Sequence, residues 1–143
     1  MAVVEKSVLI ERTAAQMFAL VDGVEDYPKF LPWCGGVDLH ERSENATVAT
    51  LHINYHGLKA QFSTANTKQA PSRMDMALRD GPFKQLDGSW RFTPLGNAAC
   101  KIEFRLHYEF SSRMLETMLG PVFNHIANTF VESFVKRAQS VYG

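Results

Sequence analysis

The sequence has little of what marks several large classes of protein. Its 143 residues include two cysteines, Cys34 and Cys100, equal numbers of basic and acidic side chains (15 each), and no apolar stretch long enough to span a membrane. No apolar run follows a basic start, so we expect no signal peptide and a cytoplasmic protein with free thiols. The zero net charge gives no bias toward DNA, RNA or anionic lipid.

Motifs for metal, phosphate and nucleophilic chemistry are also lacking. His52 and His56 lie on a predicted strand, where four residues span about 13 Å, too far for both side chains to bind one zinc ion. No glycine-rich loop precedes a helix, and neither cysteine has a histidine nearby in sequence. We therefore expect no metal, no resident cofactor and no catalytic residue.

The length and the apolar content of 45% predict one domain covering residues 1–143. Residues 3–12 are rich in β-branched side chains and predict a first strand. Residues 13–21 predict a short helix with Thr13 as its N-cap, ended by Gly23.

Alternating apolar and polar residues predict an antiparallel sheet in the middle of the chain. The clearest case is CKIEFRLHYEF (100–110), in which every second residue is apolar or cysteine. Similar alternation predicts strands within residues 46–57, 58–67, 72–81 and 83–96, with one face packed and one in water. Within the last of these, we interpret Asp87-Gly88 as a bulge rather than a hairpin turn.

The end of the chain changes to helical spacing. From residue 121 onward the apolar residues form one broad stripe, which predicts a helix of about 22 residues and roughly 33 Å. Gly120 and Pro121 are expected to separate it from a shorter helix over SRMLETML. The stripe has to cover the dry face of the sheet. The predicted fold is therefore α+β, with a curved antiparallel sheet of about seven strands around one long C-terminal helix.

The segment YPKFLPWC (27–34) concentrates large apolar side chains between prolines. Proline limits helix here to about one turn. We expect this segment to lie at one end of the space between sheet and helix. There it would act either as a stiffened lid over a cavity mouth or as an ordinary apolar plug. The residues assigned to this lid are Tyr27, Pro28, Phe30, Leu31, Pro32 and Trp33.

The element order and three motifs resemble a known family. One strand, two short helices, six strands and a long helix is the helix-grip order of the START-like (Bet v 1-like) superfamily. YPKFLPWC, GPFKQLDGSWRFTPL (81–95) and LGPVFNHIANTFVESFVKRAQSVYG (119–143) are similar to the coenzyme Q-binding and oligoketide-cyclase-like family, which includes ribosome association toxins. The resemblance covers essentially the whole chain.

This resemblance implies three functions. The first is non-catalytic binding and transport of a long apolar lipid, with ubiquinone as the ligand, transient membrane contact at the inner membrane and a role in respiration. The second is association with the large ribosomal subunit, which would block subunit joining. The third, a cyclase-like enzyme, is disfavoured because the inward strand positions are almost all apolar, with Tyr55 and Tyr108 as the polar exceptions.

The pattern of side chains favours the ligand-binding function over the ribosomal one. Six cations on the outward strand positions face four acids, a balance typical of a solvated face, and the aromatic residues point inward rather than toward RNA. A filled core is the alternative for those inward residues. The residues expected to line a cavity are Phe62, Met74, Met76, Leu78, Trp90, Phe92, Phe104, Tyr108, Phe123, Ile126 and Phe130.

Overall fold

The structure is a computed structural model that describes residues 2–143. Seven strands, two α-helices and one 3₁₀ helix follow one another along the described residues. They are β1 (Ala2–Ile10), α1 (Ala14–Asp22), a 3₁₀ helix (Val24–Lys29), β2 (Cys34–Arg42), β3 (Ala46–Tyr55), β4 (Leu58–Gln69), β5 (Arg73–Asp80), β6 (Phe83–Leu95), β7 (Ala99–Phe110) and α2 (Arg113–Tyr142). No helix in this part of the chain combines the length and the apolarity needed to cross a membrane.

All seven strands form one antiparallel sheet in the order β1-β7-β6-β5-β4-β3-β2. The first strand therefore pairs with the last, and successive strands from β2 to β7 are joined as neighbours. One face of this curved sheet packs against α1 and α2, and the buried side chains of both layers form a single core. The predicted seven-stranded helix-grip architecture is confirmed.

The short helix α1 begins as the sequence predicts. The Thr13 hydroxyl accepts a hydrogen bond from the Gln16 backbone N–H (3.1 Å), and the Gln16 side chain accepts one from the Thr13 backbone N–H (2.8 Å). This capping box satisfies two amide donors at the helix start. Tyr142 near the end of α2 donates to the Gln16 carbonyl at 2.9 Å, so the two helices are tied together.

The C-terminal helix differs from the prediction of two helices. It is one helix of 30 residues that runs through Gly120 and Pro121. Pro121 is exposed, while Leu119 and Phe123 on the opposite side are buried. The missing proline N–H removes one helical hydrogen bond. Burial of Leu119 before the proline and of Phe123 after it outweighs that loss and keeps the helix continuous.

Strand β6 is the single long strand that the sequence predicts, but the predicted bulge at Asp87-Gly88 is wrong. The register shift in this strand lies between Phe83 and Gln85. Gly88 pairs regularly, and a Cβ there would lie 2.8 Å from the Arg105 carbonyl oxygen. The glycine therefore permits close strand approach rather than an extra residue.

The inner face of the sheet is more polar than the sequence analysis expected. Thr64, Asn66 and Lys68 of β4 are all buried, as is Thr47 of β3. The Lys68 ammonium lies 3.0 Å from the Asp22 carboxylate, and the Thr47 hydroxyl donates to the same carboxylate at 2.9 Å. The end of α1 is thereby joined to the sheet by a largely buried ion pair.

Candidate ligand-binding cavity

A predominantly apolar cavity lies between the sheet and α2. The residues that line it come from the 3₁₀ helix, the segment after it, five strands and the middle of α2: Val24, Tyr27, Trp33, Ala49, Leu51, Phe62, Thr64, Asn66, Met76, Leu86, Phe104, Leu106, Phe123, Ile126, Ala127 and Phe130. The space open to the centre of a water-sized sphere is about 60 Å³. Typical ligand pockets measure roughly 300–1,000 Å³. A ligand larger than a few atoms would therefore have to displace side chains.

Phe130 of α2 is the centre of the aromatic wall of this cavity. Its ring centroid lies 5.7 Å from those of Trp90 and Phe104 and 6.1 Å from that of Trp33. These spacings are in the range where aromatic pairs attract one another. Phe130 and Met76 are only half-buried, unlike most of the lining. Of the lining side chains, these two have the most room to move.

The proline-bracketed segment is held firmly at both ends. The Tyr27 hydroxyl donates to the Val21 carbonyl of α1, and the Asn54 backbone N–H of β3 donates to the Trp33 carbonyl at 2.8 Å. The Leu31 amide donates to the Tyr27 carbonyl at 2.9 Å, and the Cys34 amide donates to the Leu31 carbonyl at 3.0 Å. Tyr27 and Trp33 are thus fixed parts of the cavity wall.

The remaining residues of this segment lie away from the cavity. Phe30 packs edge-on against Phe134 at 5.2 Å, and the Arg137 guanidinium lies 5.1 Å from its ring centroid. Leu31 is buried in the core, while Pro28 and Pro32 are exposed. Two of the six residues assigned to the lid therefore line the cavity.

The predicted cavity residues divide in the same way. Phe62, Met76, Phe104, Phe123, Ile126 and Phe130 line the cavity, whereas Met74, Leu78, Trp90, Phe92 and Tyr108 do not. Trp90 and Phe92 are each 1% exposed and stack on one another, and Phe92 meets Phe18 of α1. Tyr108 donates to the Asn124 side chain. Alternation gives the face on which a residue lies, but not its position along the strand.

Two polar lining residues were missed by the sequence analysis. Thr64 and Asn66 continue the inward series of β4 that begins with Leu58, Ala60 and Phe62. Continuing the same alternation along β4 from Phe62 places both residues on the inward face. The sequence alone did not predict them as lining residues, because polar side chains are uncommon on a packed face.

Burial raises the pKa values of several thiol and phenol groups in the protein. It raises the pKa of the Cys34 thiol and of the Cys100 thiol, and it raises the pKa of Tyr108. The pKa of Tyr27 is raised by burial and further by the nearby Asp22 carboxylate. Both thiols are therefore protonated at neutral pH, which does not suit a nucleophilic cysteine. Within residues 2–143, no three histidine, cysteine or acidic side chains gather as metal ligands.

Comparison with known proteins now gives the family. Residues 10–135 match the family model described as polyketide cyclase/dehydrase and lipid transport. The chain belongs to this family. It is 45% identical over 140 residues to the ribosome association toxin RatA of Vibrio cholerae, an alignment that covers 98% of this chain and 97% of the toxin.

One more distant relative and two solved structures extend the comparison, and the structures agree with the fold. The mitochondrial coenzyme Q-binding protein COQ10 of Drosophila melanogaster is 24% identical, over 94% of this chain and 57% of the fly protein. A START superfamily protein from Mycobacterium smegmatis superposes with a TM-score of 0.76 at 20% identity, over 97% of this chain and 98% of that one. The Zhui aromatase/cyclase from Streptomyces sp. R1128 superposes with a TM-score of 0.79 at 15% identity, over 96% of this chain and 93% of the cyclase. The predicted START-like fold is confirmed.

Proposed function

We propose that the protein binds an elongated apolar molecule in the cavity between the sheet and α2, without catalysis. The observation that carries this proposal is the predominantly apolar, aromatic-lined space beneath Phe130 and Met76. A polyprenyl quinone such as ubiquinone is the ligand we expect, and the name of the Drosophila relative supports it. We expect exchange by transient membrane contact from the cytoplasm.

The energetics favour a carrier over a permanent store. Burying one CH₂ group contributes about 0.8 kcal/mol, so a five-carbon isoprene unit contributes roughly 3–4 kcal/mol. Three units give on the order of 10 kcal/mol, against an association cost of about 4–15 kcal/mol. Displacing Phe130 and Met76 to widen the cavity adds to that cost. Binding should therefore be moderate and reversible.

Native mass spectrometry of freshly purified protein, followed by organic extraction and quinone analysis, tests this proposal. Its matched pair of variants is Ala49→Phe, which fills the cavity from β3, and Ala77→Phe, which adds the same ring at an exposed position of β5. We expect bound quinone in the wild type and in Ala77→Phe, and none in Ala49→Phe. A wild type that is empty and takes up neither added ubiquinone nor its reduced quinol form would contradict the proposal.

Ribosome association is the second candidate, and whole-chain similarity favours it. The 45% identity to a protein named as a ribosome association toxin is a far stronger likeness than the 24% to the quinone-binding protein. We propose that this protein also associates with ribosomes, with the large subunit as the expected partner. The two activities are compatible, because a ligand in the cavity leaves the outer surface of the molecule free.

Sedimentation through sucrose gradients tests the ribosomal proposal. On the outer face of the sheet, Arg105 pairs with Glu5 at 3.3 Å and Arg73 with Asp75 at 2.9 Å. Cations paired in this way make a weak field for RNA phosphates. We expect the protein to co-sediment with large subunits and to remain bound as potassium chloride is raised. Ala49→Phe should still co-sediment, since its change is internal, whereas protein found only at the top of the gradient would exclude the ribosome as partner.

A further inference from the structure

The cavity has two buried polar side chains whose hydrogen bonding is incomplete. Considering residues 2–143, neither Asn66 Oδ1 nor Trp33 Nε1 has a hydrogen-bond partner. Asn66 is 8% exposed and Trp33 is 3% exposed, and both side chains line the cavity. Buried polar atoms without partners are rare in folded proteins, because each has lost its hydrogen bonds to water. Two of them beside one cavity require an explanation.

Neighbouring polar groups show that this arrangement is not needed to hold the fold. Lys68, two residues further along the same face of β4, is fully engaged with Asp22 at 3.0 Å. Tyr27, which lines the same cavity, donates its hydroxyl hydrogen to the Val21 carbonyl. Tyr27 and Lys68 therefore have partners within the protein, whereas Asn66 Oδ1 and Trp33 Nε1, among the described residues, have none.

The chemistry of the two atoms specifies which group could form their missing hydrogen bonds. The indole N–H of Trp33 can only donate, and the amide oxygen of Asn66 can only accept. A hydroxyl group does both, since its oxygen accepts and its hydrogen donates. A ketone, quinone or ether oxygen can accept from Trp33 Nε1 but has no hydrogen to give to Asn66 Oδ1.

We infer that the ligand of this cavity carries a hydroxyl group, as a phenol or an alcohol, which is held between Trp33 and Asn66. This inference rests on the proposed ligand binding and narrows its chemical class. For a polyprenyl quinone, the reduced quinol would be bound in preference to the oxidised form. A hydroxyl lost from the ligand would leave both protein atoms unpaired again, which is how sites built for a hydroxyl reject analogues that lack one.

A phenol and its methyl ether give a direct test. We would titrate purified, delipidated protein with para-hexylphenol and with para-hexylanisole by isothermal titration calorimetry. The two probes have the same ring and alkyl tail, and only the phenol can donate. We expect the wild type to bind the phenol roughly tenfold or more tightly than the ether.

Three variants test whether the preference for the phenol over the ether arises from Asn66 and Trp33. Asn66→Leu and Trp33→Phe each remove one polar atom and should bring the two affinities close together. Met76→Leu changes an apolar wall residue, so it should alter both affinities in parallel and keep their ratio. Asn66→Leu should also raise the melting temperature of the ligand-free protein, because it removes a buried acceptor that has no partner. This second measurement does not depend on any ligand.

The possible outcomes distinguish the hydroxyl inference from the proposal that the cavity binds an apolar ligand. Equal affinity of the wild type for phenol and ether would overturn the hydroxyl inference and leave apolar ligand binding intact. A preference that survives in Asn66→Leu and Trp33→Phe would also overturn it, since the selectivity would then arise elsewhere. Failure of both probes to bind would overturn ligand binding itself.

Discussion

The two halves of the layer between the sheet and α2 are packed very differently. The packed half, formed by Phe18, Trp90, Phe92 and Phe134, is closed, with Phe92 at 1% and Phe134 at 0% exposure. The cavity half, formed by Trp33, Asn66, Met76 and Phe130, holds a cavity, two half-buried side chains and two incompletely bonded polar ones. The packed half stabilises the fold, whereas the cavity half keeps a small unfilled space and unpaired polar atoms.

The largest effect is expected in the packed half. Phe92→Ala should lower the free energy of unfolding by about 3–5 kcal/mol, because it removes a buried ring that contacts both Phe18 and Trp90. Urea unfolding followed by circular dichroism measures this. A loss below about 1 kcal/mol would show that this half is not the better packed one.

Substitutions at two buried residues of β4, Lys68 and Asn66, should change the free energy of unfolding in opposite directions. Lys68→Met should destabilise the protein by about 2 kcal/mol, since it leaves the Asp22 carboxylate without its ammonium partner. Asn66→Leu on the same face should stabilise it, as argued above. Lys59→Met, on the exposed side of the same strand, is the control and should change little. Equal destabilisation by Lys68→Met and Asn66→Leu would contradict the incomplete hydrogen bonding of Asn66 Oδ1.

A smaller loss is expected for the ring at the centre of the cavity half. Phe130→Ala should cost about 1–2 kcal/mol, less than Phe92→Ala, because Phe130 is only half-buried and borders space that is already empty. The variant should also take up ubiquinone faster, since the side chain that has to move is gone. Stopped-flow tryptophan fluorescence would follow the uptake. An unchanged uptake rate would show that a different side chain limits access.

The smallest effect concerns acid stability at the start of the 3₁₀ helix. The hydrogen bond from Arg42 holds the pKa of the Glu25 carboxyl below its ordinary value of 4.5. A carboxyl with a lowered folded pKa stabilises the protein above about pH 4.5, and this contribution is lost as the pH falls through the folded value. Because the pair is largely exposed, Arg42→Met should cost well under about 1 kcal/mol at pH 7. Urea unfolding at pH 7 and at pH 3 should show that the difference in free energy of unfolding between variant and wild type is smaller at pH 3. A difference that is the same at both pH values would mean that Arg42 acts through its hydrogen bond to the Asp22 carbonyl instead.

The sequence predicted the architecture well because strand and helix periodicity reports directly on which side chains are buried. The buried face of β7 and the cap of α1 were predicted correctly, whereas Val48 and Thr50 of β3 are buried on the face that was expected to be in water. The break at Gly120-Pro121 was predicted from local preference, and tertiary packing overrode that preference. The bulge was placed at Gly88 because a glycine inside a strand marks either a bulge or a close approach, and the sequence does not distinguish the two.

The sequence by itself determined the inward faces, the long helix that covers them and the family to which the chain belongs. Only the tertiary structure decided which inward residues meet the cavity, separating Phe130 and Met76 from Trp90 and Phe92. It also decided that Lys68 has a partner while Asn66 Oδ1, among the described residues, has none. The physical reason is that periodicity fixes the direction of a side chain. Whether that side chain meets a packed neighbour, a charge or empty space depends on how the curved sheet and α2 fit together.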